Sequence, residues 1–140
     1  MNPYLFMVTF FSVIVAGASL AGASADELHI VYAESTDQYG HTPQPLTAGA
    51  LGTISAMVYS PIEQPVILTI YVQSGAMEPV GVAVLKTTII EGTTPVLFGF
   101  TVPNNVDVDN AVFYVNVWEH QSTDGIYTIP LAPEFMGENA

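Results

Sequence analysis

Three histidines, 13 acidic side chains and a single lysine are the raw material for acid–base or metal chemistry in this chain. His29, His41 and His120 stand far apart, and none has the short spacing by which histidines jointly ligate a metal. The densest grouping is "WEHQSTDG", where His120 follows Glu119 and precedes Asp124 by four residues. A divalent cation could be drawn there, but a short polar run between apolar stretches reads first as a turn. "NNVDVDN" sets Asp107 and Asp109 two apart, as some calcium loops do, yet it lacks the glycine and distal glutamate of an EF-hand. It reads as an Asn/Asp-rich connection leading into a strand. No nucleophile elbow and no phosphate-cradling glycine loop occurs. The absence of cysteine removes thiolate nucleophiles, thiolate metal sites and disulfides together. Any two of the acids could be paired on paper for glycoside hydrolysis, so their number alone carries no argument. The sequence therefore predicts a protein that is not an enzyme, with no cofactor, no metal and no small-molecule substrate.

Charge narrows the partners. Lys86 is the one base, there is no arginine, and the formal net charge is −12. Such a chain cannot neutralise phosphates, which excludes nucleic acid, and anionic lipid surfaces should repel it. Arginine clamps on phosphate or carboxylate are impossible. Charged residues make up 10% of the chain against a usual quarter, while hydrophobic residues reach 50%, so the chain is not a disordered one. Few charges and many β-branched residues point to a surface that neighbours cover; a small secreted domain with a Ser/Thr-rich face is the alternative.

The elements follow from periodicity. "DQYGHTPQP" is a loop by its Gly and Pro content. Strand-like runs then arrive at short intervals: "ALGTISAMVYS", "PVILTIYVQSG", "PVGVAVLKTTIIEG", "TPVLFGFTVPNN", "NAVFYVNVWEH" and "GIYTIPLAP". Val66, Leu68, Ile70 and Val72 share one face and Ile67, Thr69, Tyr71 and Gln73 the other. Phe113, Val115 and Val117 likewise oppose Tyr114, Asn116 and Trp118. Preceding these, "ELHIVYAES" fits either a continued helix or a first strand, and we favour the strand. Seven strands without an amphipathic helix among them predict an Ig-like β-sandwich over residues 26–140. Apolar groups on both faces of some strands, such as Ile67 and Tyr71, read either as scattered surface hydrophobes or as subunit contacts.

Residues 1–25 are a different text. They carry no charged side chain, and residues 4–25 would span roughly 33 Å as a helix, enough for a bilayer core of about 30 Å. Pro3 suits the first turn of such a helix. Three readings fit. A secretory signal would use Leu5 to Val15 as its apolar region and be cleaved after Ala23-Ser24-Ala25, leaving Asp26 first, although "MNPY" lacks a basic n-region. A plain membrane anchor fits the length but lacks the Lys/Arg flank that sets orientation. The third is a mature filament subunit whose basic leader has been removed. If retained, Tyr4, Leu5, Phe6, Met7, Val8, Phe10, Phe11, Val13, Ile14, Val15 and Leu20 hide apolar surface worth roughly 15–30 kcal/mol, at about 1.5–3 kcal/mol each. That demands lipid or copies of itself.

"MNPYLFMVTFFSVIVAGASLAGA", running into a β-rich body, resembles the N terminus of the archaeal type IV pilins. Many members of that family carry Ser-Pro where this chain has Asn2-Pro3, and bacterial pilins carry a glutamate at the fifth position where this chain has Leu5. The resemblance implies a long hydrophobic N-terminal α-helix over 1–25 that anchors the subunit in the membrane before assembly and then packs with its copies. It implies a β-sandwich shell over 26–140, in an extracellular filament that serves adhesion or surface attachment. The rival expectation is an exported sandwich that binds a partner or polymerises by strand exchange, since an unpaired sheet edge is a template for pairing.

Overall fold

Alternating β-branched and aromatic residues build strands wherever a sheet can bury one side of them. In a computed structural model residues 26–120 and 129–139 are described, and among them the strands are β1 (His29–Ser35), β2 (Leu51–Ser60), β3 (Gln64–Gln73), β4 (Pro79–Ile89), β5 (Gly92–Thr101), β6 (Val112–Glu119) and β7 (Phe135–Glu138). They form two sheets, ordered β1-β2-β5 and β4-β3-β6-β7, with antiparallel pairing throughout. The sheets pack face to face over one core. Val66, Leu68, Ile70 and Val72 of β3 are fully buried with Phe113, Val115 and Val117 of β6, against Ile54, Ala56 and Val58 of β2 and Val96 and Phe98 of β5.

Two close approaches shape the core, one between the sheets and one within the four-stranded sheet. A Cβ at Gly81 on β4 would run into the ring of Phe100 from the opposite sheet, and one at Gly137 on β7 would run into the ring of buried Phe113. Each glycine therefore opens the space an aromatic ring fills.

The chain enters the sandwich at one pole and ends at the other. His29 pairs with Tyr59 beside the β2–β3 connection, and Ser60 with Gly92 beside the β4–β5 connection that crosses between the sheets. Asn139 lies at the far pole, bonded to Leu46 and Val108.

Two expectations need correction. The expected architecture joined a long hydrophobic N-terminal helix to the sandwich; the described residues are all-β and contain no helix. No helix among them is long and apolar enough to cross a membrane. The helix is what the resemblance implies for an apolar segment of that length; hydropathy measures only how a segment partitions into lipid, and residues 1–25 lie outside the described residues. The second correction concerns the end of the chain. Of "GIYTIPLAP", the described part shows an isolated bridge between Pro130 and Trp118, and the last strand is Phe135–Glu138 instead. Pro130 and Pro133 have no N–H to give a ladder, so pairing with β6 is extended only after them.

Candidate functional site

The outward side of the four-stranded sheet is where unusual residues gather. Antiparallel register places side chains from four strands in rows across it. Val82, Tyr71, Tyr114 and Met136 make one row, since Tyr71 pairs with both Val82 and Tyr114 and Tyr114 pairs with Met136. The next row holds Val84, Thr69 and Asn116, and the third Lys86, Ile67 and Trp118. These are the residues that the period of two turns away from the core. Val82, Val84 and Met136 are each about three-fifths exposed, at 61%, 60% and 58%.

Local bonds hold the aromatic groups flat and fixed. The Tyr71 and Tyr114 rings stack with centroids 6.3 Å apart and planes 22° apart. The Gln73 amide donates to the Tyr114 hydroxyl at 3.2 Å, and the Trp118 indole N–H donates to Thr69 Oγ1 at 2.8 Å. Asn116 Nδ2 donates to Glu134 Oε2 at 2.9 Å. Partial burial, then the charge of Glu134 and the neighbouring Tyr71, push the Tyr114 phenol above its ordinary value. The arrangement offers rigid apolar planes edged by amides and hydroxyls. It can bind; it holds no nucleophile–base pair.

The opposite outer face differs. There Gly40, at a φ of 76°, brings the 36–44 loop against Leu97 of β5 and Ser55 of β2, so the chain partly covers that face itself.

The residues singled out for chemistry are dispersed. His29 Nδ1 lies 2.7 Å from the Glu27 carbonyl and its ring faces Tyr59 at 5.3 Å. His41 sits beside Tyr39 in the 36–44 loop, 6.1 Å between rings. The backbone N–H groups of His41 and Tyr39 both donate to Asp37 Oδ1 at 3.0 Å, which holds that carboxyl below its ordinary value. Glu119 ends β6 and His120 follows it, while Asp124 lies outside the described residues. Asp107 Oδ1 accepts the backbone N–H of Asp109 at 3.0 Å, the chemistry of an Asx turn. Among the described residues no group of three or more metal-ligating side chains converges. The apolar set from Tyr4 to Leu20, with Ala23 and Ala25, lies outside the described residues, and Asp26 is an exposed residue ahead of β1.

Sequence reasoning missed Asn139. Its Oδ1 accepts from the Leu46 N–H at 2.8 Å and the Ser35 hydroxyl at 3.4 Å, and its Nδ2 donates to the Val108 carbonyl at 2.7 Å. This one amide ties the C-terminal strand to two loops that border an open cleft of about 480 Å³. Nothing local to "MGENA" signals it, because its partners are 31 and 93 residues away.

Comparison with protein-family models and with curated proteins finds no match. Among solved structures the fold is similar to the C-terminal domain of Wzt, with a TM-score of 0.55 at 11% identity, over 83% of this chain and 74% of that one. At that identity the likeness is one of fold: a two-sheet β-sandwich.

Proposed function

We propose that this protein is a structural subunit of an extracellular, pilus-like filament of the archaeal type IV kind. In this reading the apolar segment 1–25 holds the subunit in the membrane and then joins it to its copies, and the sandwich forms the outer surface for attachment. The observation that carries the reading is the pairing of a charge-free apolar segment with a sandwich that leaves Val82, Val84 and Met136 exposed, in a chain with only 10% charged residues. A lone soluble domain gains nothing from either feature. The position of Asp26 also supports it: the chain joins the sandwich at a pole and not on a sheet face.

The test is the intact mass and first residue of the protein taken from the surface of cells that make it, with electron microscopy of the same material. Filaments built of chains beginning at Met1 are expected. Chains beginning at Asp26 would overturn the reading in favour of an exported sandwich. Filaments assembled by a chain lacking residues 1–25 would do the same.

A further inference from the structure

The placement of charge on the sandwich is not even. Glu63 and Glu91 lie in turns at the pole where the chain enters, with Asp26 and Glu27 beside them. Asp107 and Asp109 lie in the β5–β6 connection, and Glu78 in the β3–β4 turn, at the other pole. Glu34 and Asp37 belong to β1 and the loop after it. The outward rows of β3, β4 and β6 carry no acid at all, and they carry Lys86, the chain's one base. Two acids do share this face, Glu134 and Glu138, both at the β7 edge, whereas Lys86 lies at the β4 edge.

We infer that the outer face of β4-β3-β6-β7 is a contact surface for a second copy of this chain, with Lys86 of each copy set against the β7 edge of the other. The inference rests on the assembly reading only in taking a copy as the partner. A protein of net charge −12 repels its copies everywhere that its acids lie. This face is where the repulsion is least, and Val82, Val84 and Met136 stand exposed on it beside half-buried Ile67, Tyr71, Tyr114 and Trp118. Rotating one copy about a two-fold axis that lies parallel to the strands, between the two faces, brings β4 over the partner's β7. Lys86 then meets the Glu134 end of that edge, twice, as an isologous contact requires. Size also agrees. Four strands at about 4.8 Å spacing and a ten-residue strand at about 3.3 Å per residue outline a face of roughly 19 by 33 Å. With its side chains this approaches the roughly 800 Å² per partner of a standard specific interface. Stacked Tyr71 and Tyr114 and the tethered Trp118 supply rigid aromatic anchors at its centre, the residue types that dominate such contacts.

The native chain has no cysteine, so a crosslink can be placed cleanly. Full-length protein in mild detergent carries Lys86→Cys and Glu134→Cys together and is treated with a short bismaleimide. Within one copy the two edges are three strand spacings apart, about 14 Å, beyond the reach of a short linker. Covalent dimers are expected. Adding Tyr71→Asp should weaken association about thirtyfold, as loss of a central anchor does. Leu97→Asp, on the opposite outer face, should leave it unchanged. Without any cysteine, dimer mass by light scattering should fall about fivefold in association constant for Lys86→Glu and recover in Lys86→Glu with Glu134→Lys. Equal loss from Leu97→Asp, or no recovery in the double reversal, overturns the proposal. So does a monomer whose single tryptophan, Trp118, responds instead to a neutral polysaccharide. Filaments that form without the crosslink overturn the contact surface and leave the assembly reading intact; the crosslink in material that never forms filaments does the reverse.

Discussion

Replacing Asn139 by alanine should destabilise the sandwich by about 2–3 kcal/mol, far more than is usual one residue from the end of a chain. The substitution removes two well-formed hydrogen bonds, from the Leu46 N–H at 2.8 Å and to the Val108 carbonyl at 2.7 Å, and two longer ones to Ser35 and the Leu46 carbonyl. It keeps the backbone bond from Asn139 to Ala111. At about 1 kcal/mol for each short bond, the pair contributes about 2 kcal/mol, and part-buried groups left without partners raise the cost towards 3 kcal/mol. Urea unfolding of the full chain in mild detergent, followed through Trp118, measures the loss. Asn139→Asp separates the two bonds. Its carboxylate still accepts from Leu46 but sets an oxygen against the Val108 carbonyl, so at neutral pH it should cost as much as alanine. Because the folded state then favours the protonated carboxyl, its stability should rise as pH falls through the acid range. A loss below about 0.5 kcal/mol for alanine, with unchanged hydrogen exchange at the Leu46 amide, would show that packing and not this amide holds the loops.

Glycines give a paired test. Gly137→Ala pushes a methyl into the Phe113 ring and should cost about 1–3 kcal/mol, whereas Gly99→Ala, with open space at its Cβ, should be neutral or stabilise by a few tenths of a kcal/mol in thermal melts. The Tyr114 phenol should titrate above the ordinary value of 10.0, observed through its ring carbons by NMR. A folded value raised in this way means the associated stability is present below pH 10 and is lost as pH rises through the folded value; Glu134→Gln should bring that value down. Leu5→Glu and Phe11→Asp should each abolish filaments seen by electron microscopy, because a charge among tightly packed apolar side chains has no water to solvate it.

What the chain determined by itself was local. The period of two in Val66 to Gln73 and in Val112 to Trp118 sorts side chains to two sides of a strand before any partner is known, because successive Cβ atoms must point oppositely. The buried set on β3 and β6 is the set that alternation names. Composition likewise limited the chemistry, since a residue type that is absent cannot act. Where the period breaks, sequence alone could not choose. In "HIVYAES" both Ile30 and Ala33 are buried, three apart, because a bulge between Ile30 and Tyr32 inserts one residue and shifts the phase. That bulge is defined by the partner strand β2, and no local pattern shows it.

Only the tertiary structure decided the rest. Phe135–Glu138 is a strand because β6 offers it an edge, not because four residues with a glycine prefer to extend. Asn139 is a hub because two loops fold back to it. Ile67 and Tyr71 could be read as scattered hydrophobes or as contacts, and register settles only that Ile67 shares a row with Lys86 and Trp118, and Tyr71 with Val82, Tyr114 and Met136. Lys86 and Glu134 stand at opposite edges of one face because strand order runs 4-3-6-7, an arrangement of pairings between distant segments. Hydropathy marks residues 1–25 as apolar, but burial is a relation between a surface and what covers it, so what covers them is not written in the run of letters.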